Sequence, residues 1–138
     1  MIKNGMMGEA RIINLSKYGD RRGNLSVIEE NVHIPFKIER SFWIYDVPGG
    51  EARGGHAYRT SEEFIVALSG SFDVLIDDGK ERKVFTLNRS YYGVYVPRMM
   101  WREMVNFSTN SVALVLSSTK YDADDYIRNY EQFKRMIP

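Results

Sequence analysis

An all-β sandwich or barrel is the fold class this sequence predicts, on three observations. Short segments rich in β-branched and aromatic residues recur about every ten positions. Turn signals with a stereochemical mechanism lie between several of them. Only residues 122–137 carry a helical stripe.

Taken in order, residues 11–15 hold Ile12 and Ile13, and residues 25–29 hold Val27 and Ile28. Residues 41–47 contain Phe42, Trp43, Ile44 and Tyr45 and run into Pro48-Gly49-Gly50. Residues 63–68 are apolar from Phe64 onward and stop at Ser69-Gly70-Ser71. In residues 72–76, Phe72, Val74 and Ile76 share one face and Asp73 takes the other; Leu75 breaks the alternation, which predicts partial cover on both faces. Asp77-Asp78-Gly79 leads into residues 83–87, and residues 93–96 and 111–116 complete the set. Glycine in each turn supplies the positive φ that tight hairpins need, so consecutive hairpins are expected. At the end, Asp122 is a candidate N-cap, Asp124 and Asp125 fall in a first turn, and Tyr126, Tyr130, Phe133 and Ile137 share a stripe. That predicts one helix, packed outside the barrel or on a partner.

The 138 residues correspond to one domain, expected over residues 10–138, with a flexible segment over residues 1–9. Nineteen Lys and Arg against 18 Asp and Glu leave a net charge of +1, so no global field recommends nucleic acid or an anionic membrane as partner. The longest apolar runs are far shorter than the roughly 20 residues of a membrane-spanning helix. The first residues lack the apolar core of a secretory signal, and there is no cysteine, so a cytoplasmic protein is expected. Four Asn-x-Ser triplets, at Asn14, Asn24, Asn88 and Asn106, read as chance on that expectation.

The chemistry-bearing inventory is small. His33, before Ile34-Pro35-Phe36, reads as a loop residue with a structural role. His56 is different: it lies in Arg53-Gly54-Gly55-His56-Ala57-Tyr58-Arg59, an imidazole between guanidiniums beside two glycines that allow close backbone approach to a ligand. A nearby cation favours the neutral imidazole, the form that acts as a base, and arginines bind phosphates bidentately. A phosphate-anchored substrate with a mildly acidic carbon-bound hydrogen would use both properties. The bland alternative is a flexible loop with solvated arginines. No Gly-Lys-Ser or Gly-Lys-Thr follows the glycines, which excludes a P-loop. A metal centre would need more ligands: the position two after His56 is Tyr58, Glu62 and Glu63 are the nearby carboxylates, and His33 is remote in sequence. A metal-free site is therefore expected. The stretch from Tyr91 to Met104 interleaves aromatics with Arg98 and Arg102 and fits a mononucleotide handle such as that of a sugar nucleotide.

Several further stretches match one family in order along the chain. They are Arg22-Gly23 with Leu25 and Ile28-Glu29-Glu30, Ile34-Pro35-Phe36 with Arg40, and Arg53-Gly54 with His56. Leu68-Ser69-Gly70-Ser71, Asp77-Asp78-Gly79, Gly93-Val94-Tyr95 and Trp101-Arg102-Glu103-Met104 follow, then Asn106-Phe107-Ser108, Tyr121-Asp122 and Asp125-Tyr126-Ile127-Arg128. With these, residues 10–135 resemble the cupin-type dTDP-4-keto-6-deoxyglucose 3,4-ketoisomerases, the WxcM-like sugar isomerases. The resemblance implies a double-stranded β-helix, jelly-roll-like, and a homodimer that exchanges N-terminal strands. It implies a metal-free, cofactor-free site in each barrel acting on a dTDP-linked keto-deoxyhexose for deoxyamino-sugar biosynthesis. The implied reaction moves a carbonyl from C4 to C3 through an enediol, with His56 as base, Arg53 and Arg22 beside the sugar and pyrophosphate, and Trp101-Arg102 facing the hexose.

The chain departs from this pattern at one place. Family members commonly carry a second histidine where Tyr58 stands. A phenol can donate a proton or a hydrogen bond to an enediolate but is a poor base at neutral pH. Tyr58 therefore keeps two alternatives open, a ketoisomerase in which the phenol replaces the acid or His56 alone shuttles the proton, and a non-catalytic dTDP-sugar-binding cupin. A 3,5-epimerase, which pairs a histidine base with an aspartate and uses a tyrosine acid, is the third.

Overall fold

Two five-stranded antiparallel sheets face one another in the computed structural model, which describes residues 9–138. The first sheet has the order β1 (Arg11–Asn14), β9 (Tyr92–Val96), β6 (Glu63–Ser69), β11 (Val112–Ser117), β4 (Arg40–Tyr45). The second runs β12 (Tyr126–Ile127), β5 (Arg53–Tyr58), β10 (Trp101–Val105), β7 (Phe72–Asp77), β8 (Arg82–Leu87). From β4 to β11 the chain alternates between sheets, apart from the β7–β8 hairpin, and so winds the double-stranded β-helix of the jelly-roll class. The sheets are not closed into a continuous barrel. A separate exposed hairpin, β2 (Tyr18–Asp20) with β3 (Gly23–Leu25), stands apart from both.

The core lies between the inner faces. Ile65, Ala67, Val94, Val96, Ala113 and Val115 from the first sheet meet Phe72, Val74, Ile76, Leu87 and Met104 from the second. The unbroken apolar run in β6 is explained by cover on both sides: Ile65 and Ala67 face the core, while Phe64 and Val66 pack outward against Ile34, Phe36, Tyr95 and Leu116. Gly93 permits that close packing, because a Cβ there would sit 2.5 Å from the Ile65 carbonyl oxygen and 2.6 Å from the Phe64 ring.

Three sequence expectations are corrected here. Only Asp77-Asp78-Gly79 closes a hairpin; the turns at Pro48-Gly49-Gly50 and Ser69-Gly70-Ser71 carry the chain from one sheet to the other. Turn chemistry sets local φ, and Gly50, Gly70 and Gly79 all have positive values, but it does not say whether the next strand pairs with the last or crosses over. Residues 26–29 are not a strand: pairing ends at Leu25, and the segment that follows lies over the outer face of the first sheet, where Ile28, Ile34 and Phe36 cover Phe64. The C-terminal stripe is not one helix. Asp122 caps a single 3-10 turn (Ala123–Asp125), after which Tyr126 and Ile127 pair with the free edge of β5; helix α1 (Tyr130–Met136) starts afresh with Asn129 as its cap. Edge pairing that buries Ile127 outcompetes helix continuation. Of the residues 1–9 expected to be flexible, all but Glu9 lie outside the described residues.

Candidate active site

The wall of the site is built around an irregularity in β5. Opposite β10, Arg102 pairs with His56 and Glu103 pairs with Gly54, so Gly55 is an extra residue, a β-bulge. Gly55 has φ +70° and Gly54 φ +96°, conformations that side chains oppose. A Cβ on Gly54 would also lie 3.0 Å from the Arg102 carbonyl oxygen. The glycine pair serves close strand packing and a bulge, and Gly54 also lines the cavity. Beyond the bulge, His56 and Tyr58 both line the cavity, while Ala57 between them faces α1.

The cavity has a volume of about 420 Å³, within the range of small-ligand sites. Phe42, Ile44, Ile65, Met104 and Val115 form its apolar lining. Its polar groups are Arg53, His56, Tyr58, Glu63, Arg102, Tyr126 and Arg128. Arg102 and Glu63 make a buried ion pair, Nη1 donating to Oε1 at 2.6 Å, and Arg102 Nη2 donates to the Met100 carbonyl at 3.0 Å. The same guanidinium lies 4.9 Å from the centre of the Tyr58 ring. His56 packs edge-on against Tyr58 at 4.8 Å and tilted against Tyr126 at 5.0 Å, and the Arg128 guanidinium lies over the Tyr126 ring, 4.2 Å from its centre.

These surroundings govern protonation. Burial, then the positive charge of Arg102, pushes His56 down to about 3; the Gly54 backbone pulls the other way and Arg128 adds to the depression. The imidazole is neutral at physiological pH and its Nε2 is buried with no hydrogen-bond partner. Burial and the Glu63 charge push the Tyr58 phenol up, so it stays a protonated donor. Burial raises Glu63 as well, opposed chiefly by Arg102. One neutral base, two phenols and one carboxylate therefore line one cavity with three guanidiniums, Arg102 buried within it and Arg53 and Arg128 exposed.

Of the residues singled out from sequence, the fold brings Arg53, His56, Tyr58 and Arg102 together. It does not bring Trp101 there: consecutive strand residues face opposite ways, and Trp101 packs under α1 against Phe133 and Tyr130, its Nε1 donating to Glu103 Oε2 at 3.0 Å. Arg22 lies on the exposed β2–β3 hairpin, paired with Asp20 at 2.6 Å and outside the cavity lining. His33 accepts the Glu29 N–H through Nδ1 at 2.8 Å, a loop-closing contact. Sequence reasoning assigned no site role to Tyr126 or Arg128 and weighed Glu63 only as a metal ligand. Glu63 had a usable signal, since it shares strand parity with core-facing Ile65 and Ala67. Tyr126 and Arg128 had only their place in a matching stretch, without a role, because their arrival at the site depends on β12 pairing with β5, far away in the chain.

A family model described as "FdtA: WxcM-like, C-terminal" matches residues 8–138. A TDP-4-oxo-6-deoxy-α-D-glucose-3,4-oxoisomerase from Aneurinibacillus thermoaerophilus is 45% identical over 129 residues, 94% of this chain and 93% of its own. Among solved structures, a TDP-quinovose 3,4-ketoisomerase from Campylobacter jejuni is 42% identical, with a TM-score of 0.88 over 97% of this chain and 99% of that one. A sugar 3,4-ketoisomerase from Thermoanaerobacterium thermosaccharolyticum, in complex with TDP, is 34% identical, with a TM-score of 0.90 over 94% and 95%.

Proposed function

Because the chain belongs to the FdtA, WxcM-like family, we propose that it is a TDP-sugar 3,4-ketoisomerase, an isomerase that moves the carbonyl of TDP-4-keto-6-deoxyglucose from C4 to C3. The observation that carries this reading is the near full-length match to a 3,4-oxoisomerase, joined to a cavity that holds a neutral imidazole with a free nitrogen.

His56 Nε2 takes the C3 proton, the enediolate charge spreads toward O4, and the imidazolium returns a proton to C4. Tyr58 donates a hydrogen bond to the developing oxyanion and Arg102 stabilises its charge. Arg53 holds the pyrophosphate at the cavity mouth. Arg22 meets a sugar nucleotide only when subunit association brings its hairpin over a cavity, which a homodimer with exchanged N-terminal strands would supply. The reaction needs no metal or cofactor in this scheme, and deoxyamino-sugar biosynthesis in the cytoplasm is its setting. No helix of the described residues is long and apolar enough to cross a membrane. The 3,5-epimerase reading loses its motivation, since among the described residues no aspartate lines the cavity to pair with His56.

Proton NMR of the protein with TDP-4-keto-6-deoxyglucose in deuterium oxide tests the proposal. A 3-keto product carrying deuterium at C4, abolished in His56→Asn while TDP still binds, is the expected outcome. Binding without any exchange at C3 or C4 would leave a sugar-nucleotide-binding protein whose catalytic pair Tyr58 has broken.

A further inference from the structure

Four buried side-chain polar atoms lack a hydrogen-bond partner among the described residues, and three of them belong to residues that line the active-site cavity: His56 Nε2, Glu63 Oε2 and Arg102 Nε. A buried carboxylate oxygen left bare is unfavourable unless something absent from the free protein completes it. The other oxygen of Glu63 is fully engaged by Arg102 at 2.6 Å, which fixes the carboxylate in place. The side chain is 3% exposed and lines the cavity, so a bound substrate is placed to meet the free oxygen there.

Moving a ketone between adjacent carbons transfers two hydrogens: the C3 hydrogen goes to C4, and the hydroxyl hydrogen on O3 goes to O4. His56 accounts for the first. We propose that Glu63 carries the second, its free carboxylate oxygen taking the proton from the O3 hydroxyl of the enediolate and delivering it to O4. This rests on the ketoisomerase reading and supplies the step that reading lacks. When His56 takes the C3 proton, the bonding pair forms the C3=C4 double bond and the carbonyl pair moves onto O4. Glu63 then removes the proton from O3 and places it on O4, leaving the charge on O3. As O3 becomes the new carbonyl, the double-bond pair takes the proton held by His56 at C4. The enzyme returns to its starting protonation and no redox partner is required.

Glu63 suits this step better than its neighbours. The one free carboxylate oxygen can accept the proton from O3 and return it to the vicinal O4, whereas the Tyr58 phenol is held protonated and Arg102 only donates. Arg102, anchored to both Glu63 and the Met100 carbonyl, keeps the carboxylate beside the charge that passes from O4 to O3.

The experiment compares wild type with Glu63→Gln in deuterium oxide, reading product formation and deuterium at C3 of recovered substrate in one NMR time course. Glu63→Gln is expected to form product about 100-fold more slowly, the scale of a lost acid-base group, with TDP affinity retained. Deuterium at C3 per product formed should rise about tenfold, because His56 still opens the enediolate while its onward step is blocked. Equal falls in both readouts, or unchanged turnover, overturn the proposal. Should Glu63→Gln fail to fold by circular dichroism, Glu63→Asp decides by the same ratio, since it keeps the charge for Arg102 but withdraws the carboxylate by one methylene. An absence of both exchange and product in wild type refutes the ketoisomerase reading itself, and this step with it.

Discussion

Lowering the pH should destabilise this protein through His56 in a way that a single substitution removes. The imidazole is held at about 3 in the fold against an ordinary value of 6.5. As pH falls below 6.5 the unfolded chain takes up a proton that the folded state refuses, so stability drops by about 1.4 kcal/mol for each pH unit and stops dropping near pH 3. Between pH 7 and about pH 4.5 that amounts to about 3 kcal/mol, a large fraction of the stability of an ordinary domain. Urea unfolding of ligand-free wild type and His56→Asn at the two pH values measures it. The carboxylates titrate in both proteins and cancel in the difference. Wild type should lose about 3 kcal/mol more than His56→Asn over this interval. Parallel losses, agreeing within about 0.5 kcal/mol, would mean that the imidazole is charged or solvated in the fold and is not held as a neutral base.

Other substitutions separate packing from binding. Trp101→Ala removes the indole packed on Phe133 and Tyr130, so it should lower stability by about 3 kcal/mol in urea unfolding. Calorimetric TDP affinity of the folded protein should stay within about twofold, and a tenfold loss would put Trp101 in contact with the nucleotide after all. Arg53→Gln, at an exposed position on the cavity mouth, should weaken TDP binding about tenfold in the same titration without shifting the unfolding midpoint. Gly93→Ala drives a methyl group into the Ile65 carbonyl and the Phe64 ring and should lower stability by about 2 kcal/mol or more, read as a lower thermal midpoint.

Much of the fold was legible because strand periodicity and burial are local properties of the chain. Seven of the eight segments read as strands match observed strands to within about two residues, the usual boundary uncertainty; residues 25–29 are the exception. The strands β2, β3, β5, β10 and β12 were harder to see. Arg53–Tyr58 contains two glycines and reads as a loop until Arg102 and Glu103 are known to lie beside it. Tyr126 sat on an apparent helical stripe, yet the exposed edge of β5 draws it into a two-residue strand and turns its ring toward His56.

The amino-acid order alone determined the fold class, the apolar positions of the core and the concentration of chemistry around His56, since each follows from residue type and spacing along a few consecutive positions. Tertiary structure decided what that chemistry has for company. Glu63 meets Arg102 across 39 residues, Tyr126 and Arg128 arrive by strand pairing, and Trp101 is turned away because its neighbour Arg102 faces inward. The depressed histidine, the anchored carboxylate and its free oxygen arise from burial by residues distant in the chain. Desolvation and charge act through space, so no reading along the backbone contains them.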